Sequence, residues 1–279
     1  MIVTAGESKR KLGWIGISPL YNMMKKRPAE TAAPIAPTDN LSVILSILDQ
    51  WIENQEDEGA CATFATCYDA EWLELKKGLP FIRLSRQDLY RSVRIRIGTY
   101  PQDSGSSMTD PVYTFHVEGV ATDKTWPYVS GQLAQDPPPG CDAERPKHRG
   151  TDSFAIPSFD VAVNQLTRRG PYTHGIVVFD NWPGMNGNPD PGDGLIPMPT
   201  ATSNALGGHG MCVLDIGPAG RTYTFGPKPV TVPFGHVLVM NSWGPSWGYA
   251  GFGFFPIDYV SNDNYVMERV EILSEIDQQ

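Results

Sequence analysis

NQEDEGACATFATCYDAEW, residues 54–72, places a cysteine behind a Gly-Ala pair at the start of a helical pattern. Phe64, Tyr68, Trp72 and Leu75 recur at steps of four, four and three, which lays one apolar face along a helix over 60–77. Lys76 and Lys77 in its last turn and Gly78 beyond them mark its end. Gly59-Ala60 lets the backbone turn tightly, so Cys61 falls at the helix N-terminus, where unpaired N–H groups and the helix dipole favour an anion. A thiol there is expected to ionise more easily and to be a better nucleophile. Gln55, six residues upstream, brings an amide able to donate to a developing oxyanion together with the Cys61 N–H. A buried structural cysteine is the competing reading of the same stretch. Cys67, six residues on, points away from Cys61 at about 100° per residue and reads as core.

Around that helix the pattern divides. LSVILSILDQW (41–51) is apolar enough to dock on the body, and LSRQDLYRSVRIR (84–96) is a second helix with Ser85 as its N-cap. The stretch 98–150 is turn-rich, with a short helix near 111–118, and Phe159, Val163 and Leu166 mark a third helix ended by Gly170. THGIVVF (173–179) reads as a strand, and a long Gly/Pro/Asn loop fills 181–207. HGMCVLDIG, FGHVLVMNSWG and GFGFFPI then read as buried strands. Helices first and strands later indicate an α+β fold, with a helical lobe over about 41–150, a β-rich lobe over about 151–279 and a cleft between them. KKRPAETAAPIAPTDN (25–40) reads as a Pro/Ala linker that sets the N-terminal tail apart from the folded region.

The totals exclude several function classes. With 279 residues, 41% apolar content and seven tryptophans, the chain has enough for a large core, and its 25 prolines and 28 glycines are not periodic. A net charge of −9 without a basic stripe argues against a nucleic-acid partner. No run approaches the ~18 apolar residues of a membrane span. SKRKLGWIGISPLYNMMKK has a signal peptide's basic start, but Pro19, Tyr21 and Asn22 interrupt its apolar stretch. A cytoplasmic or virion-associated setting is therefore favoured over secretion. The four cysteines form no CxxC pair and no zinc spacing, so neither a metal nor another cofactor is expected.

A cysteine nucleophile needs a base, and the base needs an orienter. Of five histidines, His209 opens a strand behind two glycines, so its ring can face an open cleft. His236 stands five residues before Asn241, and that odd separation puts the two on opposite faces of a regular strand. The same parity turns Cys212 away from His209. In NSWGPSWG the Asn241 carbonyl can accept an imidazole N–H, Trp243 can cover that bond, and Trp247 adds a second aromatic wall.

Together these residues resemble the papain-like cysteine peptidases, whose order Gln, Cys, His, Asn is matched here by Gln55, Cys61, His209 and Asn241. The local signature C-G-[SA]-C-[WY] reads Glu58-Gly59-Ala60-Cys61-Ala62, so the disulfide commonly made by the first cysteine is absent and the aromatic wall is an alanine. The likeness runs over about 48–262 and is most specific in NSWGPSWGYAGF (241–252). It also takes in TWPY (125–128), and DSGSS (103–107) where the family has a glycine pair: Gly105 matches and Ser106 departs. GGHG and the loop before it are similar to the microbial and viral branch, with Gly210 where alanine is more usual.

The resemblance implies a two-lobed fold with a β-barrel-like second lobe, and a catalytic set of Cys61, His209, Asn241 and Gln55. It implies a peptide or protein substrate touching Gly59, Gly105, Ser106, Met108, Gly208, Trp243 and Trp247, with a monomer as the simplest state. A peptide ligase or transamidase would use the same residues, and a non-catalytic binding protein could keep the scaffold. Lysosomal relatives carry an inhibitory propeptide that the first 40 residues are too short to resemble. A short plug over the cleft, a docking tail and a disordered leader all remain open for them, the last being the plainest.

Overall fold

The computed structural model describes residues 11–36 and 38–273. Residues 8–10, which open the basic patch, therefore lie outside the described residues, as does the rest of 1–10. The helices run in order α1 (Pro19–Met23), α2 (Leu48–Trp51), α3 (Cys61–Lys76), α4 (Arg86–Arg96), α5 (Thr109–Val117), α6 (Cys141–Glu144), α7 (Phe159–Arg168) and α8 (Ile257–Val260). The strands are β1 (Asp152–Ala155), β2 (Tyr172–Phe179), β3 (Ala205–Gly217), β4 (Thr222–Tyr223), β5 (Val230–Thr231), β6 (His236–Met240), β7 (Phe252–Pro256) and β8 (Val266–Leu273).

Local chemistry sets the helix ends. Ser85 Oγ accepts the Asp88 N–H at 3.0 Å and starts α4, and Ser158 does the same for α7. α3 begins without a side-chain cap. In the second half, six strands pair antiparallel in the order β1-β8-β2-β3-β6-β7, and β4 with β5 forms a small separate ribbon. α3 packs against β3, where Cys212 and Leu214 share a core with Phe64, Cys67, Tyr68 and Trp72. A second core lies around α7, whose Val161, Val163 and Leu166 join Ile176, Met211 and Val213 of the sheet. Leu41, Ile44 and Trp51 are buried, so 41–51 docks as its apolar pattern indicates.

Two segments differ from the sequence reading. β8 (VMERVEIL) was not foreseen, because Glu268, Arg269 and Glu271 interrupt its β-branched residues; it lies inside the sheet between β1 and β2, with all three charged side chains buried. Nor is the Pro/Ala stretch a free linker. It lies along the body, where Lys25 and Arg27 exchange backbone hydrogen bonds with Ala155 at 2.9 and 3.0 Å. The Arg27 guanidinium meets the buried Glu271 carboxylate, the Asn164 amide holds Thr31 and Ala33, and Thr38 Oγ1 donates to Asp215 at 2.6 Å. Its prolines keep it extended. The groups that anchor it come from residues over a hundred positions downstream, which composition does not reveal.

Candidate active site

Cys61 is the first residue of α3, where the uncapped helix leaves its N–H groups available. β3 runs past this helix end closely enough that a Cβ on Gly210 would lie 3.0 Å from Ala62 Cα. The Gly210 N–H donates to Cys61 Sγ at 3.3 Å. The preceding residue, His209, places Nε2 2.7 Å from Asn241 Oδ1, just beyond the end of β6. The Trp243 ring stacks on the His209 ring at 4.5 Å and 29°, and Trp247 meets Trp243 edge-on at 5.3 Å. Gln55 is tied to the same turn: its N–H donates to Ser242 O at 2.8 Å, and its Oε1 accepts from Ser242 Oγ. Four residues scattered over 187 positions of sequence are thus assembled by one helix start, one strand and one turn.

The cleft between these elements is filled by residues 11–15 of the same chain. Trp14 N–H donates to Gly208 O at 3.1 Å, Ile15 N–H to Ser106 O at 3.2 Å, and Ser106 N–H to Gly13 O at 2.8 Å. The segment thus pairs parallel to Ser106 and antiparallel to Gly208. Gln55 Nε2 donates to the Lys11 carbonyl at 3.1 Å. Gly13 presses so close that a Cβ would lie 2.1 Å from Gly59 O, and a Cβ on Gly105 (φ +71°) would lie 2.0 Å from Gly13 O. Ser106 takes part through its backbone, while its hydroxyl turns to Ser107 O. Its departure from glycine therefore leaves this pairing intact.

Cys61 and His209 are wholly buried in this covered state. Burial pushes the Cys61 thiol up to about 11, against the pull of the Gly210, Gly13, Ala62 and Cys61 amides. The easier ionisation expected from the helix N-terminus is thus outweighed here by exclusion of water. Burial also raises Cys67, which lies in the core beside Arg86. His236 is held by Tyr223 Oη and Phe234 O, away from Asn241, and Cys212 faces α3 rather than His209.

Of the residues the resemblance assigned to substrate, Gly59, Gly105, Ser106 and Gly208 contact the N-terminal segment directly. Met108 is buried beside Gly210. Trp243 covers His209, whereas Trp247 is buried behind it with Nε1 on Pro183 O at 3.4 Å. Three participants escaped sequence reasoning. Asp103 accepts the Gly59 N–H at 2.9 Å and binds Tyr90 Oη and Lys11 Nζ. Trp14 lies in the cleft with its Nε1 3.0 Å from Glu268 Oε2. Glu58, standing where the family's cysteine would be, accepts from Tyr128 Oη at 2.8 Å and Gly131 N–H at 2.5 Å. It ties the nucleophile's turn to the 128–131 loop without a disulfide. Among the described residues no cluster of His, Cys, Asp and Glu has the makings of a metal site, and no helix is long and apolar enough to cross a membrane.

No family model matches the sequence. The chain is 23% identical over 216 residues to an uncharacterized peptidase C1-like protein of Acanthamoeba polyphaga mimivirus, covering 74% of this chain and 64% of that protein. Solved structures give the fold. Xylellain, a cysteine protease from Xylella fastidiosa, superposes with a TM-score of 0.77 at 21% identity, over 98% of this chain and 100% of the other. A procathepsin B from Trypanosoma congolense gives 0.69 at 16% identity, over 96% and 88%. A digestive procathepsin L of the Tenebrio molitor larval midgut gives 0.66 at 18% identity, over 91% and 74%. The chain thus has the fold of the papain-like cysteine proteases, and within it Gln55, Cys61, His209 and Asn241 lie around one cleft.

Proposed function

We propose that the protein is a cysteine endopeptidase and that the segment 11–18 is an inhibitory pro-segment lying in its cleft. The observation that carries this reading is the Lys11 carbonyl on Gln55 Nε2, beside a cysteine at a helix start whose sulfur accepts the Gly210 N–H. A peptide already occupies the place where a substrate's carbonyl oxygen would gather charge. In the open enzyme His209 takes the Cys61 proton through Nδ1, because Asn241 holds Nε2. The thiolate adds to a peptide carbonyl carbon, and Gln55 with the Cys61 N–H stabilises the oxyanion. The imidazolium protonates the leaving amine, and water then hydrolyses the thioester. Trp243, stacked on the ring, keeps water from the His209–Asn241 bond.

The covering segment is tied to the body beside the cysteine. Three of its contacts end on carboxylates of the body: Lys11 on Asp103, Trp14 on Glu268 and Ser18 on Asp110. A cytoplasmic or virion-associated setting is part of the proposal and rests only on the viral relative.

The test is covalent labelling by an epoxysuccinyl inhibitor, read by intact mass and peptide mapping. Stoichiometric adduct at Cys61, slowed by His209→Ala and abolished by Cys61→Ala, supports the activated pair. Peptide hydrolysis that falls ~10²–10³-fold in kcat with Gln55→Ala supports the oxyanion role. A folded protein that hydrolyses no peptide even when Cys61 is accessible overturns the reading.

A further inference from the structure

No disulfide closes the turn before α3, since all four cysteines are free thiols. The tie between that turn and the facing wall of the cleft is a carboxylate and a phenol. Asp103 Oδ1 accepts the Gly59 N–H at 2.9 Å and the Tyr90 hydroxyl. Tyr90 Oη in turn accepts the Gly105 N–H at 3.1 Å. A phenol has one proton, and the carboxylate takes it, so a lone pair is left facing Gly105. The two backbones joined in this way touch: a Cβ on Gly59 would lie 3.0 Å from both N and Cα of Gly105. Gly59 stands two residues before Cys61, and Gly105 stands one before Ser106, where the covering segment pairs.

Both members of the tie are themselves fixed. Tyr90 is buried on α4, and burial together with the Asp103 carboxylate keeps its hydroxyl in the protonated, donating form. Arg94, one turn on and wholly buried, lies over the Tyr90 ring at 4.3 Å. Its Nη1 donates to Pro101 O at 3.1 Å and Gln102 O at 3.3 Å, so the backbone that carries Asp103 is anchored to the same helix. The second carboxylate oxygen has a different partner. Asp103 Oδ2 meets Lys11 Nζ of the covering segment, and that Nζ also donates to Asp103 O at 3.1 Å. The Gly59 N–H reaches Oδ2 only as a longer branch, at 3.2 Å.

We infer that Asp103 and Tyr90 are a positioning pair whose two tasks fall on the two oxygens of one carboxylate. Oδ1, with Tyr90, sets the spacing between the turn that carries Cys61 and the backbone at 105–106 on which a peptide pairs. Oδ2 latches the covering segment through Lys11. Release of the segment removes the Lys11 partner and leaves the Gly59 and Gly105 bonds in place. The paired peptide is the segment itself in the closed form; that a substrate takes its place in the open form rests on the peptidase reading above. Without the pair a substrate would still bond to Ser106, but its carbonyl carbon would stand off line from Sγ, and a misplacement of about 1 Å costs about 10² in rate.

The experiment uses the full chain and two labelling readouts. The first is kinact of an epoxysuccinyl peptide at Cys61, taken at saturating reagent so that the open fraction cancels. Tyr90→Phe and Asp103→Ala are each expected to lower it about tenfold or more. Asp103→Asn keeps Oδ1 and is expected to restore kinact to within about threefold of wild type. The second readout is the rate of Cys61 alkylation by iodoacetamide, which reports release of the segment and needs no paired peptide. Asp103→Asn turns an amide N–H toward Lys11 Nζ, and it and Lys11→Met are each expected to accelerate alkylation about threefold. An unchanged kinact in Tyr90→Phe, even with a lowered Tm, makes the pair a purely structural contact and overturns its positioning role. Asp103→Asn that loses as much kinact as Asp103→Ala, or that alkylates at the wild-type rate, overturns the division between the oxygens. A wild type that takes iodoacetamide but no epoxysuccinyl peptide condemns the peptidase reading, and amide hydrogen exchange then decides the pair. Tyr90→Phe is expected to speed exchange at both Gly59 and Gly105 about tenfold; acceleration at Gly105 alone overturns the coupling of the two walls.

Discussion

Gly13→Ala isolates the closure of the cleft from its chemistry. The new Cβ would stand 2.1 Å from Gly59 O, 2.4 Å from its C and 2.6 Å from its Cα, all backbone atoms of the turn before α3. That turn is pinned by Asp103 on the Gly59 N–H, so the covering segment is the partner that must yield. Lifting it loses the Ser106 N–H bond to Gly13 O and the Trp14 N–H bond to Gly208 O. At ~1 kcal/mol net for each bond, the closed form loses ~2 kcal/mol. Alanine also stiffens the released segment, which returns up to ~1 kcal/mol to the closed form. The remaining ~1–2 kcal/mol multiplies the open population by roughly 5- to 30-fold. Where opening and closing outpace the reagent, the alkylation rate of Cys61 rises by the same factor. Intact-mass kinetics with iodoacetamide measure it, with Cys61→Ala as the blank. Ile15→Ala is the control, because that side chain is 60% exposed and is expected to leave the rate unchanged. A Gly13→Ala rate equal to wild type would refute the argument that this contact seats the segment.

Glu58→Ala removes the acceptor of Gly131 N–H and one acceptor of Tyr128 Oη, which also bonds Gln55 O at 2.8 Å. It is expected to cost ~2–3 kcal/mol and lower Tm by about 4–10 °C in a calorimetric scan; an unchanged Tm counts against Glu58 as the tie that stands in for a disulfide. Glu53 gives a pH prediction. Burial raises its carboxyl to about 7, with Arg86 pulling the other way. The folded state therefore binds more protons than the unfolded state between about 4.5 and about 7, and this group's contribution to stability falls as pH rises through that window. Denaturant titrations should show wild type losing stability relative to Glu53→Gln from pH 4.5 to 7 and holding a constant difference above it; a difference that moves the other way contradicts the assignment.

Much of the site is legible in the chain because its signals are local. The helix face at Phe64, Tyr68 and Trp72, the Gly-Ala turn before Cys61, the glycines flanking His209 and the aromatic run after Asn241 each lie within a few residues of the group they serve. Strand parity separated His236 from Asn241 and Cys212 from His209, since alternation is a property of the backbone alone. Glu268 gave no such sign. A glutamate inside VMERVEIL reads as a solvated residue, and only the β8–β2–β3 register turns it toward Gly175 and the cleft.

What the sequence by itself determined is the α+β order and the start of α3 at Cys61, and it singled out Gln55, Cys61, His209 and Asn241 as candidates. Tertiary structure alone decided that residues 11–18 fill the cleft, that the Cys61 thiol is held up near 11 beneath them, and that Trp14 ends on a buried carboxylate. Periodicity and capping act through neighbours along the chain. The charge, burial and hydrogen bonding of a covered site depend on groups up to 254 positions apart, which meet only when the sheet is complete.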